Sequence, residues 1–413
     1  MHGRVEVAGR SPERTWARAA RAPWWTRSLL SGLSALWRAG GLTVILPNGA
    51  IRSLGEVSED SRPVWQVRRW RTFARLIARG DIGFADGYMA GDWDTPDLAA
   101  LLVAFAENYE ALERIMSGSA VWRGVNAARH ALARNSRRGS RQNIMAHYDL
   151  GNDFYAAWLD PGMTYSAALF EDATATLEQA QTAKYAALAR AADIRPGQSV
   201  LEIGCGWGGF AEYLARELDV TVTAITLSPA QKAYAGHRLE RAGLSDRVSI
   251  QLVDYRDVEG VFDRIVSVEM FEAVGEAYWT AYFDRIRDLL APGGVAGLQV
   301  ITIREDLFED YRRRPDFIQL QVFPGGMLPS GTRLLDAARR SGLAGGVVRR
   351  LGQDYAETLY RWRTAFDAAW PRLAPDFDAR FRRLWRYYLS YCEAGFLTGR
   401  TDVVHVTLTR DKG

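Results

Sequence analysis

Val200-Leu201-Glu202-Ile203-Gly204-Cys205-Gly206-Trp207-Gly208-Gly209 is the stretch on which the reading of the fold turns. Its first half is a short apolar run of the kind found in buried strands, and it leads into a Gly-x-Gly turn and a helical pattern over Phe210–Glu217. Glycine allows a tight turn and lets a ligand approach the main chain closely. The alternation continues outward. Val220–Leu227 is a second strand, followed by a helix from Pro229, and Val248–Val253 and Phe262–Val268 are a third and a fourth strand. A helix over Tyr278–Leu290 and the turn Pro292-Gly293-Gly294 precede a fifth strand, Val295–Ile303. Strand alternating with helix predicts an α/β fold with a doubly wound parallel sheet covered on both faces. Ligands of such sheets bind beyond the carboxyl ends of the strands.

A lone Gly-x-Gly is shared with dinucleotide enzymes. Here Glu202 lies inside the end of the strand, and the glycines do not keep the Gly-x-Gly-x-x-Gly spacing, which disfavours an NAD-dependent dehydrogenase. The acidic-strand form resembles motif I of the class I S-adenosylmethionine-dependent methyltransferases. The competing reading is a purely structural glycine turn. Where a nucleotide-binding sheet usually places an acid for the ribose, the chain has Thr226-Leu227-Ser228 and Gln231, whose hydroxyl and amide groups can make similar hydrogen bonds. Asp254-Tyr255-Arg256-Asp257, after the third strand, is placed to border the adenine.

The chain of 413 residues is long enough for two domains, or for one large domain with an appendage. Its hydrophobic content of 48% and charged content of 24% are those of a soluble globular protein. No apolar run reaches the roughly 18 residues of a membrane span, and no signal-peptide pattern opens the chain, so it reads as cytoplasmic. Cys205 and Cys392 stand far apart, which argues against a disulfide framework or a zinc site, and no metal is expected. A net charge of +3 is too small to imply a nucleic-acid partner.

Charge is unevenly distributed. The first 40 residues carry seven arginines against two glutamates, interleaved with Trp16, Trp24, Trp25 and Trp37. That composition suits a helix, here over 11–38 with a break near Pro23, lying in an anionic lipid interface on the inner face of a membrane. The alternative is a solvated helix packing its tryptophans on the domain. Apolar runs Leu42–Leu46 and Val64–Val67 follow, with Asn48-Gly49 as a turn signal between them, and then mainly helical patterns to about 134. The polar, basic stretch 135–141 reads as a linker. It divides a smaller, mainly helical N-terminal domain, 1–135, from a catalytic domain, 141–413.

Several blocks together closely resemble the cyclopropane-fatty-acyl-phospholipid synthase family over about residues 140–400. They are His147-Tyr148-Asp149-Leu150-Gly151-Asn152, Met163-Thr164-Tyr165-Ser166, the glycine loop, Tyr255-Arg256-Asp257, Glu269-Met270-Phe271-Glu272, Phe323-Pro324-Gly325-Gly326 and Asp354-Tyr355-Ala356-Glu357. The resemblance implies a class I methyltransferase sheet with a lipid-binding insertion. It also implies methyl transfer from S-adenosylmethionine to a cis double bond of a membrane phospholipid. By motif match Tyr165, Ser166, Glu202, Gly204, Gly206, Thr226, Leu227, Gln231, Tyr255 and Arg256 would meet the cofactor. Glu272 and Tyr355 match active-site positions, and the aromatic faces of Phe271, Tyr148, Tyr165 and Tyr355 are candidates to stabilise a cation. A phospholipid bilayer is the implied partner. A homodimer and a downstream lipid-modifying oxidoreductase are compatible with this reading.

The chain departs from the family pattern where its synthases hold a bicarbonate base. Ala167 replaces a cysteine after the Tyr-Ser pair, Gln299 replaces a histidine on the fifth strand, and Ala273 follows Glu272 where a histidine is usual. An anion in a dry pocket needs donors, so bicarbonate is not expected to bind in the usual way. Methyl transfer itself does not need that base. The expectation is therefore a methyl-branched unsaturated acyl product, with proton removal assisted by Glu272 or Tyr355. The alternatives are a true cyclopropane synthase, a small-molecule methyltransferase of the same fold, and a non-catalytic lipid-binding relative. His147, His405 and Cys392 read mainly as structural.

Overall fold

The computed structural model describes residues 23–55, 63–132 and 150–410. Tyr148, His147, Trp16 and the linker at 135–141 lie outside the described residues.

The larger, carboxyl-terminal part is built on a seven-stranded sheet. Its strands are β5 (Ser199–Ile203), β6 (Thr221–Thr226), β7 (Val248–Leu252), β8 (Phe262–Val268), β9 (Leu290–Ile303), β10 (Leu343–Arg350) and β11 (Thr401–Arg410), in the order β10-β11-β9-β8-β5-β6-β7. From β9 to β7 all neighbours are parallel, as the sequence predicts. At the other edge β11 runs antiparallel to both β9 and β10, so the sheet is mixed. Pro292-Gly293-Gly294 is absorbed into the start of β9 as an irregularity, where pairing with β8 jumps from Phe262↔Leu290 to Arg264↔Val295.

The described residues form fifteen α-helices, numbered along the chain. In the first part are α1 (Trp24–Leu36), α2 (Arg71–Met89), α3 (Leu98–Glu107), α4 (Tyr109–Met116) and α5 (Ala120–Leu132). Between this part and β9 lie α6 (Asn152–Ala156), α7 (Leu177–Ala191), α8 (Gly209–Glu217), α9 (Pro229–Arg241) and α10 (Trp279–Leu289). After β9 come α11 (Phe308–Arg313), α12 (Phe317–Gln321), α13 (Gly331–Arg340), α14 (Gly352–Leu373) and α15 (Ala379–Leu397). Local chemistry sets several starts. Thr176 and Gln179 form a capping box at α7. Ser228 accepts from the Gln231 amide ahead of Pro229 at α9.

The first part is less purely helical than its sequence pattern suggests. β1 (Leu42–Ile45), β2 (Ile51–Leu54), β3 (Val64–Val67) and β4 (Trp93–Asp94) form a small sheet in the order β2-β1-β3-β4. Its core is aromatic, with Trp65 in contact with Phe73, Phe84, Trp93 and Phe105. Of the amino-terminal tryptophans, Trp37 is buried beside Phe105 and Trp24 is 84% exposed.

One hydrophobic cluster joins the two parts, running from Leu33 and Trp65 to Trp362, Trp385 and Val403. Arg383 of α15 donates to the carbonyls of Tyr88 and Trp93 and stands 3.9 Å from the centre of the Tyr88 ring. Among the described residues no helix is long and apolar enough to cross a membrane.

Candidate active site

At the carboxyl end of β5 the chain turns through Gly204 (φ 85°) and Gly206 (φ 51°), both in the region that side chains disfavour. A Cβ on Gly204 would come within 2.8 Å of Met270, whereas one on Gly206 would meet nothing within 4 Å. The loop therefore faces open space, the arrangement a ligand lying on the main chain requires. That space belongs to a cavity of about 490 Å³, a volume suited to a cofactor and part of a substrate. Tyr165, Ser166, Glu202, Thr226, Leu227, Gln231 and Tyr255 all line it.

The polar groups there are fixed in advance. The Thr226 hydroxyl donates to Gln231 Oε1 at 2.8 Å and accepts from the Ser228 amide at 3.1 Å. Glu202 is buried with Oε2 unpartnered, and burial pushes its carboxyl up to about 8. Lys184, fully buried on α7, donates to Ser166 Oγ at 2.7 Å. Burial draws its ammonium down to about 8, against the pull of Glu269, Asp160 and Glu202. These groups fit S-adenosylmethionine. The orphaned Glu202 oxygen calls for a donor such as the methionine ammonium, and the Thr226–Gln231 pair offers neutral partners for a ribose. Arg256, a predicted cofactor contact, is placed elsewhere. Its guanidinium is bidentate to Asp254 at 2.8 and 2.6 Å, and it does not line the cavity.

The candidate reaction centre is a cluster of buried polar side chains where β8 ends beside β9. Tyr355, from α14, and Glu272 line the cavity, but the side chain at the hub is Glu269. Its Oε1 accepts from the Ala167 amide and from Gln299 Nε2, each at 2.8 Å. Its Oε2 accepts from the Tyr355 hydroxyl at 2.9 Å. Burial raises the Glu269 carboxyl, while these donors and Lys184 pull it back. Glu272 accepts from the Ile301 amide through Oε1, and its Oε2 has no partner. Burial, with Glu269 adding repulsion, pushes Glu272 up to about 8.

Gln299 is itself held from behind. His405 lies directly across from it in the β9–β11 register, and Nε2 sits 2.9 Å from Gln299 Oε1. Since Gln299 uses its Nε2 to donate to Glu269, its Oε1 must accept, so His405 carries its proton on Nε2. Burial lowers His405 to about 3, which keeps the ring neutral. Sequence reasoning placed His405 as structural; the fold sets it against Gln299.

Phe271 is not at the reaction centre. Its ring is buried against Trp279, Tyr282 and Phe283 and does not line the cavity, because the short 3-10 turn over Phe271–Ala273 directs it into the core beneath the sheet. The aromatic walls facing the reacting space come instead from Tyr355, Phe396 and Tyr388, with the Tyr388 hydroxyl 2.7 Å from that of Tyr165. Glu269 is not among the site residues the sequence predicts; its signal there is two acids three residues apart, Glu269 and Glu272, just past the end of β8. Among the described residues no group of three or more His, Cys, Asp or Glu could hold a metal.

A profile of the family described as mycolic acid cyclopropane synthetase matches residues 135–406. The chain belongs to this family. It is 39% identical over 366 residues to a tuberculostearic acid methyltransferase of Mycobacterium tuberculosis, covering 86% of this chain and 85% of that one. It is 36% identical over 371 residues to a cyclopropane-fatty-acyl-phospholipid synthase of Escherichia coli, covering 89% and 92%. Among solved structures it resembles a mycolic acid cyclopropane synthase crystallised with SAH, at a TM-score of 0.61 and 30% identity over 65% of this chain and 98% of the other. This family member is thus an S-adenosylmethionine-dependent methyltransferase that acts on lipids.

Proposed function

We propose that the chain methylates one carbon of a cis double bond in an acyl chain of a membrane phospholipid and releases a methyl-branched, still unsaturated product. The observation that carries this reading is the Glu269 carboxylate, seated among the Ala167 amide, Gln299 and Tyr355. These are the positions at which the family's synthases hold a bicarbonate. A second anion beside the Glu269 carboxylate would be repelled in so dry a site. The chain carries its own base instead.

When bound, S-adenosylmethionine supplies an electrophilic methyl group on a sulfonium, and its transfer to one alkene carbon leaves a positive charge on the other. The faces of Tyr355, Tyr388 and Phe396 border that charge. Glu269 Oε1 is occupied by two donors, whereas Oε2 has one, so Oε2 keeps a lone pair for a proton. It takes that proton from the chain carbon beside the cation, and the released C–H pair becomes the new double bond. Tyr355 steadies Oε2 without competing as a base, since burial and Glu269 hold its hydroxyl well above its usual range. Gln299, aimed by His405, keeps Oε1 in place.

Such a substrate implies peripheral contact with the inner face of a membrane, and the exposed Trp24, within the arginine-rich first 40 residues, supports it. Mass spectrometry of phospholipids methylated by the purified protein, before and after catalytic hydrogenation, tests the product. The expected species carries one added CH₂ and takes up hydrogen. A species of that mass that resists hydrogenation is a cyclopropane and overturns the branched reading.

A further inference from the structure

The cavity does not end at the reaction centre. Its lining also includes Tyr391 and, from the first part of the chain, Phe84, Leu102 and Phe105. These three side chains are between 1 and 6% exposed, so this arm is a dry apolar sleeve cut into a hydrophobic core. The same cavity carries charged and polar groups in its lining. Arg314 lines it and donates to Ser117 Oγ at 2.7 Å while pairing with Glu113 and Asp310. Arg400 lines it, with its guanidinium 4.5 Å from the centre of the Tyr109 ring. Among the described residues no carboxylate lies within 4 Å of Arg400, although Asp81 and Asp316 line the same region. Asn126 of α5 is 7% exposed, and its Oδ1 has no partner.

The exposed Arg123 of α5 belongs to the same lining. Around it α5 presents Val121, Trp122 and Val125 to solvent, at 75, 38 and 41% exposure. An apolar sleeve, a cationic collar and a rim of exposed apolar side chains match an acyl chain whose anionic headgroup stays at a bilayer surface.

We propose that the opening between α5 and α12 is the headgroup end of the substrate channel. In this arrangement the phosphodiester of a glycerophospholipid meets Arg400 and Arg314. The carbons between the ester and the double bond lie against Phe84, Leu102 and Phe105, and the double bond arrives at Glu269. This rests on the lipid-methylation reading and adds a consequence: the first part of the chain measures how far from the headgroup the methyl is placed.

The test uses the full chain with three acyl donors: phosphatidylglycerol vesicles, oleoyl-coenzyme A and methyl oleate in detergent. For Arg400→Gln, kcat/KM on phosphatidylglycerol relative to methyl oleate should fall at least tenfold, through KM. Equal losses on both donors overturn the site, and a loss confined to oleoyl-coenzyme A assigns the arginines to a nucleotide phosphate and overturns a lipid headgroup. For Leu102→Trp, the ratio of methylation between phosphatidylglycerols carrying cis-Δ9 and cis-Δ11 chains should change at least fivefold, with S-adenosylmethionine affinity within twofold of wild type. Phe105→Leu, a smaller change in the same sleeve, repeats this measurement if the tryptophan does not fold. An unchanged isomer ratio in a folded variant overturns the channel. Failure of the underlying lipid reading is separate, since the wild type would then methylate none of the three donors.

Discussion

Glu269 holds a left-handed backbone conformation, φ 48°, that a glutamate adopts at a cost of about 1–2 kcal/mol. The surrounding donors offset that cost by fixing its carboxylate. Glu269→Gln keeps the shape and removes the base, so kcat should fall by about 10²- to 10⁴-fold while calorimetry finds S-adenosylmethionine affinity near wild type. A similar loss in affinity would move Glu269 out of the chemistry and into cofactor binding. Glu269→Gly relieves the backbone and empties the cradle, so added bicarbonate should restore part of the lost rate. Burial raises the wild-type carboxyl, so kcat should rise with pH along a limb above the ordinary glutamate range. Gly206→Val places a branched side chain at φ 51° and fills the open space over the loop, and S-adenosylmethionine binding should vanish. Asp81 supplies a pH effect of another kind. Burial lifts it to about 7, so between about 4 and 7 the folded chain holds a proton that the unfolded chain has lost. Stability contributed by that proton therefore falls as pH rises through this window. Asp81→Asn should flatten the fall, visible as a higher melting temperature than wild type at pH 8 but not at pH 4. At this scale the sequence revealed the glycines and the acid at the end of β5, because their chemistry is local. Glu269 escaped notice because its role depends on Ala167, Gln299 and Tyr355, which lie up to 102 residues away in the chain.

The β9–β11 pair turns a sequence-distant residue into a neighbour of the chemistry. Antiparallel register sets His405 directly opposite Gln299, and the imidazole holds the amide in the orientation that presents Nε2 to Glu269. His405→Phe keeps the buried volume but leaves Gln299 Oε1 unpaired, so the amide can rotate and offer its oxygen to the carboxylate. A loss of roughly tenfold in kcat is expected from one misplaced hydrogen bond, with KM for S-adenosylmethionine within twofold and the pH limb of Glu269 moved upward. A stability loss without a moved limb would leave His405 as packing alone. The parallel strands β5, β6, β7 and β8 were legible because each is a short apolar run bounded by turn residues. Reversal at β11 was not legible, since periodicity carries no strand direction. The small sheet of the first part was only half legible: β1 and β3 stand out as apolar runs, whereas β4 is two residues long and hidden among helical patterns.

At the scale of the molecule, composition suggested two parts joined by a polar linker, and the packing ties those parts through a common hydrophobic cluster. α15 is the tie. Tyr387 faces Tyr88 at 5.8 Å between ring centres, Arg383 donates to carbonyls of the first part, and Arg304 and Arg314, after β9, pair with Glu110 and Glu113 of α4. The exposed ion pairs contribute little, so the apolar seam dominates. A fragment of residues 141–413 would expose Tyr387 and its neighbours to water and open the sleeve lined by Phe84 and Phe105. Its melting temperature should drop on the order of 10 °C or more below that of the whole chain, since each kcal/mol lost shifts a domain of this size by about 2–4 °C. It should also bind a hydrophobic dye that the whole chain does not. The fragment retains the glycine loop, Thr226, Gln231 and the Glu269 cradle, so it should still bind S-adenosylmethionine, and calorimetry on the soluble fraction measures that directly. A fragment as stable as the whole chain would mean that the seam is a loose contact and that the first part is an independent module. Retained cofactor binding with lost methylation of phosphatidylglycerol is the pattern expected if the first part completes the acyl channel.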